Sequence, residues 1–308
     1  MPPAGGPWHT TVLADHPLVG RIFDPRAGIF VSEETLRARV LDARFVLLGE
    51  KHDDPDHHRL QAALLGAVLS SEPRGALVLE MIDVDQQPEV DATLAAAPRD
   101  ADALARAVHW EERGWPSFAQ YRPLIEVAMA SSAPVLGGNY PTTAIRASFH
   151  PGATPIDPAE LARLGVAQPL APSLARSMIE ELDADHCGML GSKSDFMPKM
   201  VLAQRLRDGQ MAATMAATAS GTGGAAKVVL VAGAGHVRTD RGVPTLLHAR
   251  YGVAGARIAS IAFVEVERGV LDPAAYAAPL FAERLPFDLV WFTPRVDEKD
   301  PCASMHAK

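Results

Sequence analysis

Short uninterrupted apolar runs that stop at a glycine or a polar residue recur along this chain, and they constrain its fold more than any other feature. ARFVLLG at 43–49, GALVLEM at 75–81, APVLGGN at 133–139, KVVLVAGAGH at 227–236, ARIASIAFVEVE at 256–267 and FDLVWFTP at 287–294 all have this form. Such runs fit strands buried on both faces, as in parallel sheets. Between the first two, Asp54 can cap a helix and Pro55 can open it, and Leu60, Leu64, Leu65 and Val68 recur at helical spacing. Strand, helix, strand is a parallel βαβ unit whose crossover should be right-handed. The expected fold class is α/β, a mostly parallel central sheet of roughly five to seven strands sandwiched by helices.

The intervening segments complete that reading. From Val84 to about Arg106 the chain reads as short Ala-rich helices, Trp110 to Pro123 as aromatic-rich and irregular, and 124–133 as helical. Residues 150–225 read as a helical insertion, strongly helical between about 173 and 216 and then loosened by SGTGGA. The strand signal resumes at Lys227, so the expectation is a single α/β domain over 1–308 interrupted by that insertion. The chain is 48% hydrophobic with a formal charge of −8, enough to bury a large core. An acidic chain without Lys/Arg clusters lacks the electrostatic footprint of nucleic-acid binding, which is excluded as the main task. Cys187 and Cys302 form no CxxC pair, so the sequence indicates neither a disulfide framework nor a structural zinc. No apolar stretch approaches the roughly 18 residues of a membrane span, and MPPAGGPWHTTVLADHP lacks a basic region followed by an apolar one. As written the chain is expected to be cytoplasmic.

Ligands of open α/β sheets bind outside the carboxyl ends of the strands, and four runs end in groups able to hold a metal or move a proton. The first leads into Glu50 and His52, the second ends at Glu80, the third at Asn139 and the fourth at His236. If the strands are parallel, two imidazoles and two carboxylates gather on one rim. His52, Glu80 and His236 could then hold a divalent metal such as Mn, Co or Zn, and the same set without metal could serve as acid and base. The plainer alternative is that Glu50 and His52 hold the first βα loop while Gly233 and Gly235 permit a turn. VLVAGAGH lacks the third glycine of a dinucleotide fingerprint, which rules out an NAD site.

His57 and His58 fall in the first turn of the first helix, where the helix dipole favours a neutral imidazole suited to metal or haem, although either could equally pack or face solvent. His186 ends a helix and is open between lining the cleft and packing at a helix end. Gln204, Arg207, Asp208 and Met211 share one helical stripe, which reads as a lined cavity if buried and as a solvated face otherwise.

At these residues the chain resembles the ChaN-like haem-binding family of the Tiki superfamily, which also takes in erythromycin-esterase-like and TraB-type proteins. LLGEKHDDPDHHRLQ, ALVLEMIDVDQQ, WEERGWPSFAQYRPL, HCGML, MVLAQRLRDGQMA, VVLVAGAGHVRTDRGVP and FDLVWFTP carry the resemblance over most of 40–294. It implies an α/β sandwich with both Gly-x-x-His motifs at one cleft, haem binding tied to iron uptake, homodimerisation, and often export as a lipoprotein. The chain carries no lipoprotein signal, so a periplasmic or membrane-anchored place is expected only if an export signal was removed. In the wider group Glu50, His52, Glu80 and His236 correspond to catalytic or metal-binding positions, so a metal-dependent esterase or peptidase is the rival expectation. Haem needs an axial ligand. Tyr121, among Trp110, Trp115 and Phe118, is one candidate, with His57, His58 and His186 as further cofactor contacts.

Overall fold

The apolar runs become the six parallel strands of an eight-stranded sheet in the computed structural model, which describes residues 6–299 and 302 apart from 73, 151, 153, 190, 192, 193, 221 and 222. The strands are β1 (Ile22–Asp24), β2 (Ile29–Val31), β3 (Phe45–Glu50), β4 (Gly75–Asp83), β5 (Val135–Asn139), β6 (Lys227–Gly233), β7 (Ile258–Glu265) and β8 (Leu289–Thr293). Their order across the sheet is β2-β1-β8-β7-β3-β6-β4-β5. Strands β3 to β8 are mutually parallel, while β1 runs antiparallel to both β8 and β2. That β1–β2 hairpin was not expected from the sequence: strands of three residues are too short to show a period.

Strand β3 sits in the middle, paired in register with β6 (Phe45 with Val228) and with β7 (Phe45 with Ile258). Its six residues are all buried, which an unbroken FVLLGE run without alternation requires. The two faces nonetheless go to different layers. Val46, Leu48, Leu77, Leu79, Val229 and Val231 pack with α1 (Glu33–Asp42), α2 (Pro55–Ser71) and, beyond them, later helices of the same face. Those later helices are α3 (Gln87–Ala96), α4 (Ala101–Ala107) and α5 (Phe118–Ala130). Phe45, Leu47, Val78, Val228, Leu230 and Phe292 pack on the other side.

Between β5 and β6 come α6 (Thr142–Phe149), α7 (Pro158–Arg163), α8 (Pro172–Asp185) and α9 (Met197–Ala219), followed after β6 by α10 (Val243–Tyr251). Helix α9 lays Met211, Ala212 and Met215 on the second face of the sheet, beside Val243 and Leu247 of α10. The single strong helix expected over 173–216 is thus two helices, and SGTGGA falls partly on 221 and 222, outside the described residues. The segment expected to be irregular up to Pro123 already belongs to α5, which starts at Phe118 behind a Ser117 cap and tolerates Pro123 inside it.

Cys187 and Cys302 are joined as a disulfide with Cα atoms 5.4 Å apart, so the expectation that cysteine has no structural part is corrected. The bond links the segment just after α8 to the far C-terminal stretch, a proximity that spacing in sequence does not encode.

Candidate functional site

The carboxyl ends of β3, β4 and β6 bring Glu50, His52, Glu80 and His236 together. Glu50 is the last residue of β3, Glu80 lies within β4 and His236 follows β6 in a short turn of 3₁₀ helix over 234–237. The His52 Nδ1 lies 2.8 Å from Glu50 Oε1, and its Nε2 lies 3.8 Å from Glu80 Oε2. The other Glu80 oxygen is 3.2 Å from His236 Nε2, and the Gly233 N–H donates to Glu80 Oε2 at 2.8 Å. On its far side His236 meets Asp208 through Nδ1 at 2.6 Å, with the Gln204 amide 3.1 Å away. The result is a chain of alternating carboxylates and imidazoles running Glu50, His52, Glu80, His236, Asp208.

Burial raises the cost of every charge in this chain, and the partners offset it. Burial opposes ionisation of Glu50, but His58 and His52 beside it hold the carboxyl well below the usual range. Glu80 is likewise desolvated, yet His236, His52 and the Gly233 N–H bring it down to about 2. Desolvation works against a proton on His236, and Glu80 and Asp208 outweigh it, pushing the imidazole up to about 10. His52 is raised in the same way by Glu50 and Glu80 against its burial. Asp208, enclosed within α9, moves upward because desolvation prevails over its histidine.

Only part of this set meets solvent. The His52 side chain remains 34% exposed, whereas those of Glu50, Glu80, Asp208 and His236 are nearly closed off. Trp115 stands edge-on to His52 with ring centroids 5.0 Å apart. In front lies a cleft of about 580 Å³, walled by Met178, Leu182, Phe263 and Leu280 and including His52, Gln204 and Gly233.

Other expected contacts fall elsewhere. Tyr121 is fully buried on α5, its hydroxyl donating to Glu50 Oε1 at 2.5 Å, and burial together with Glu50 pushes that hydroxyl far above the usual phenol range. It is a support for Glu50, so the expected position as an axial haem ligand finds no open path in this geometry. His57 is enclosed too: its Nδ1 accepts the Lys51 N–H at 3.0 Å and its Nε2 reaches Thr293 Oγ1 at 2.9 Å. Burial pushes it down to about 3, so it is a neutral structural link between the β3–α2 turn and β8. His58 is buried against Tyr121, with ring centroids 4.0 Å apart, and its Nε2 lies 3.4 Å from Glu50 Oε2. His186 follows α8, where its Nδ1 bonds the Leu182 carbonyl at 2.7 Å, the helix-end alternative. Asn139, ending β5, is buried and lines a separate pocket with Thr142 and Thr143 at the start of α6.

The divalent-metal expectation meets a similar correction. Among the described residues no group of three or more His, Cys, Asp and Glu side chains is disposed to hold a metal ion. Both nitrogens of His236 are taken up by carboxylates, Nε2 by Glu80 and Nδ1 by Asp208, and of His52 only Nε2, 3.8 Å from Glu80, is left without a close carboxylate. Gln204 and Asp208 were legible only as a helical stripe; packing of α9 against the β6 turn settles them as buried partners of His236.

Comparison with a solved structure agrees with this architecture. The chain is similar in structure to the ChaN of Campylobacter jejuni, solved with cofacial haem, at 22% identity and TM-score 0.65, covering 88% of this chain and 95% of that one. It is also similar to an erythromycin esterase, EreC, in its open conformation, at 12% identity and TM-score 0.49, over 91% of this chain and 99% of that one. No curated protein gives a significant match. A family profile described as haem-binding uptake, Tiki superfamily, ChaN matches residues 36–247, well over half of the sequence, and the chain belongs to that family.

Proposed function

We propose that this chain binds haem at the cleft on the carboxyl-end rim, with His52 as the side chain that meets the iron. The observation that carries this reading is the half-open His52 ring. Glu50 fixes its Nδ1, Trp115 flanks it, and its Nε2 lies no closer than 3.8 Å to a carboxylate oxygen. A ligating histidine is commonly oriented by a carboxylate on its other nitrogen, and Glu50 has that relation to His52. Binding requires the neutral ring, so iron competes with the Nε2 proton. The cleft volume, about 580 Å³, falls within the roughly 300–1,000 Å³ of cofactor pockets, and Met178, Leu182 and Phe263 supply apolar wall for a porphyrin face. Membership of a haem-binding uptake family supports the same ligand. The Cys187–Cys302 disulfide supports an oxidising compartment, the periplasmic half of the localisation expectation.

Titration of the purified protein with ferric haem, followed by visible absorbance, tests the proposal. A saturable Soret shift in the wild type, weakened at least tenfold in His52→Ala and retained in Tyr121→Phe, is the expected result. Absence of any saturable shift removes the haem reading. Sedimentation of the same samples reads out the expected homodimer.

A hydrolase using the same cleft is the second reading, favoured by the grouping of Glu50 with His52 and of Glu80, His236 and Asp208, two carboxylate–imidazole sets suited to acid–base work. Hydrolysis of ester or peptide panels that disappears in His236→Ala would favour it; no turnover by the wild type would set it aside.

A further inference from the structure

A second pocket shares no lining residue with the cleft. It encloses about 380 Å³ where the loop between α4 and α5, the end of β5, and helices α6 and α9 converge. Arg113 and Trp115 enter from the loop, Asn139 from β5, Arg146 and Phe149 from α6, and Arg207 from α9.

Three polar atoms of this lining are buried without partners among the described residues. Asn139 is only 2% exposed, and its Oδ1 receives no hydrogen bond. Arg113 Nε and Arg207 Nε have no acceptor. Such atoms are rare in folded proteins, because hydration lost on burial has to be replaced. The two guanidinium nitrogens call for an acceptor, and the amide oxygen calls for a donor. A ligand that answers all three carries an oxyanion and a hydroxyl together.

The charge balance narrows the oxyanion. Arg113 is neutralised by Asp83 at 2.6 Å, a carboxylate that also takes the Thr142 N–H at 2.8 Å. Arg146 and Arg207 form no ion pair among the described residues. Glu112, the acidic lining residue, has a side chain 79% exposed and lies beside His109. Two guanidiniums are thus uncompensated, and a dianion matches them. A carboxylate supplies one negative charge, whereas a phosphate monoester carries about −1.5 to −2 near pH 7 and three acceptor oxygens. Trp115 and Phe149 leave apolar wall for a carbon skeleton, and the volume falls within the roughly 300–1,000 Å³ of small-molecule pockets.

We propose that this pocket binds a phosphate monoester of a hydroxylated carbon skeleton, the chemistry of a sugar phosphate. Arg146 and Arg207 take the phosphoryl oxygens, Arg113 adds its free Nε, and Asn139 Oδ1 accepts from a hydroxyl of the skeleton. The site stands apart from the cleft and does not depend on haem being bound there.

Titration calorimetry of the unliganded protein with glucose 6-phosphate, inorganic phosphate and glucose tests it. Glucose 6-phosphate should bind saturably and about tenfold tighter than inorganic phosphate, the worth of one or two added hydrogen bonds and some apolar contact, and glucose should not bind. Arg146→Gln, at an exposed position with little risk to folding, and Arg207→Gln should each weaken both phosphates by about tenfold, with circular dichroism checking the fold. Asn139→Ala should remove the preference for the sugar phosphate and keep inorganic phosphate. Lys51→Gln, which takes a cation from the cleft, should leave both affinities within a factor of about two. No saturable binding of either phosphate up to the order of 10 mM overturns the site. Undiminished binding in both arginine variants, or loss in Lys51→Gln, places the anion elsewhere and also overturns it. Equal affinity for the two phosphates in the wild type overturns the hydroxylated ligand.

Discussion

Asp54 is held between two demands. It caps α2 by accepting the N–H groups of Asp56 and His57, yet burial, with Glu265 and Asp56 nearby, pushes its carboxyl up to about 7. A carboxyl raised above its unfolded value favours the protonated folded form, so its ionisation costs stability as pH climbs from 3.8 through about 7. Asparagine caps a helix about as well and cannot ionise. Asp54→Asn should therefore stabilise by roughly 1–3 kcal/mol at pH 8 and almost not at all at pH 4, read from urea midpoints at the two pH values. His236 gives the alkaline limb. Its raised folded value contributes stability that is complete below 6.5 and is lost as pH rises through about 10. The acid limb comes from the carboxyls held below their ordinary values, Glu50 among them and Glu80 losing its contribution from 4.5 down to about 2, and from neutral His57, whose contribution goes from 6.5 down to about 3. Melting temperature against pH should accordingly fall above 6.5, and His236→Asn should flatten that fall; an unchanged limb would refute the assignment. The Asp54 cap and Pro55 start were legible because capping acts across three residues of local sequence. The burial of His57 was not, because it depends on Thr293, far along the chain.

At the scale of elements, strand ends were the informative positions. A parallel sheet sends every carboxyl terminus to one rim, so Glu50, Glu80 and His236 could be grouped from the strand runs alone. What the helices add depends on their rotation about their own axes. The Gln204, Arg207, Asp208 stripe of α9 fitted a solvated face or a cavity equally well, and packing on the sheet turned Asp208 inward. The same held for α5, where only the arrival of Tyr121 over β3 makes its hydroxyl a partner of Glu50. Gly233 shows how closely β6 approaches the site: a Cβ there would lie 2.9 Å from His52 Nε2. Its backbone is not left-handed, so Gly233→Ala introduces no φ strain, and the displaced group is a half-open ring that can shift. The expected outcome is a stability change within about 1 kcal/mol of wild type and a haem affinity at least tenfold weaker, from denaturation and Soret titration together.

For the whole molecule, the disulfide spans 115 residues and ties the end of α8 to the C-terminal stretch. Closing a loop of that length should add about 2–4 kcal/mol by restricting the unfolded chain. Urea unfolding with and without reductant measures it, and Cys302→Ser should reproduce the reduced protein's midpoint. No pattern in the sequence announced this bond, since which cysteines meet is a property of the folded chain; the six parallel strands were announced, since each carries its own burial in its composition. The middle position of β3 has a further consequence in time. Its hydrogen-bonded neighbours are β6 and β7 alone, so Phe45 must wait for Val228. A ribosome adding roughly 5–20 residues per second leaves the apolar FVLLGE segment without a partner for on the order of ten seconds or more. The central strand of the sheet is therefore among the last to be completed during biosynthesis, its apolar edges open until the second half of the chain emerges.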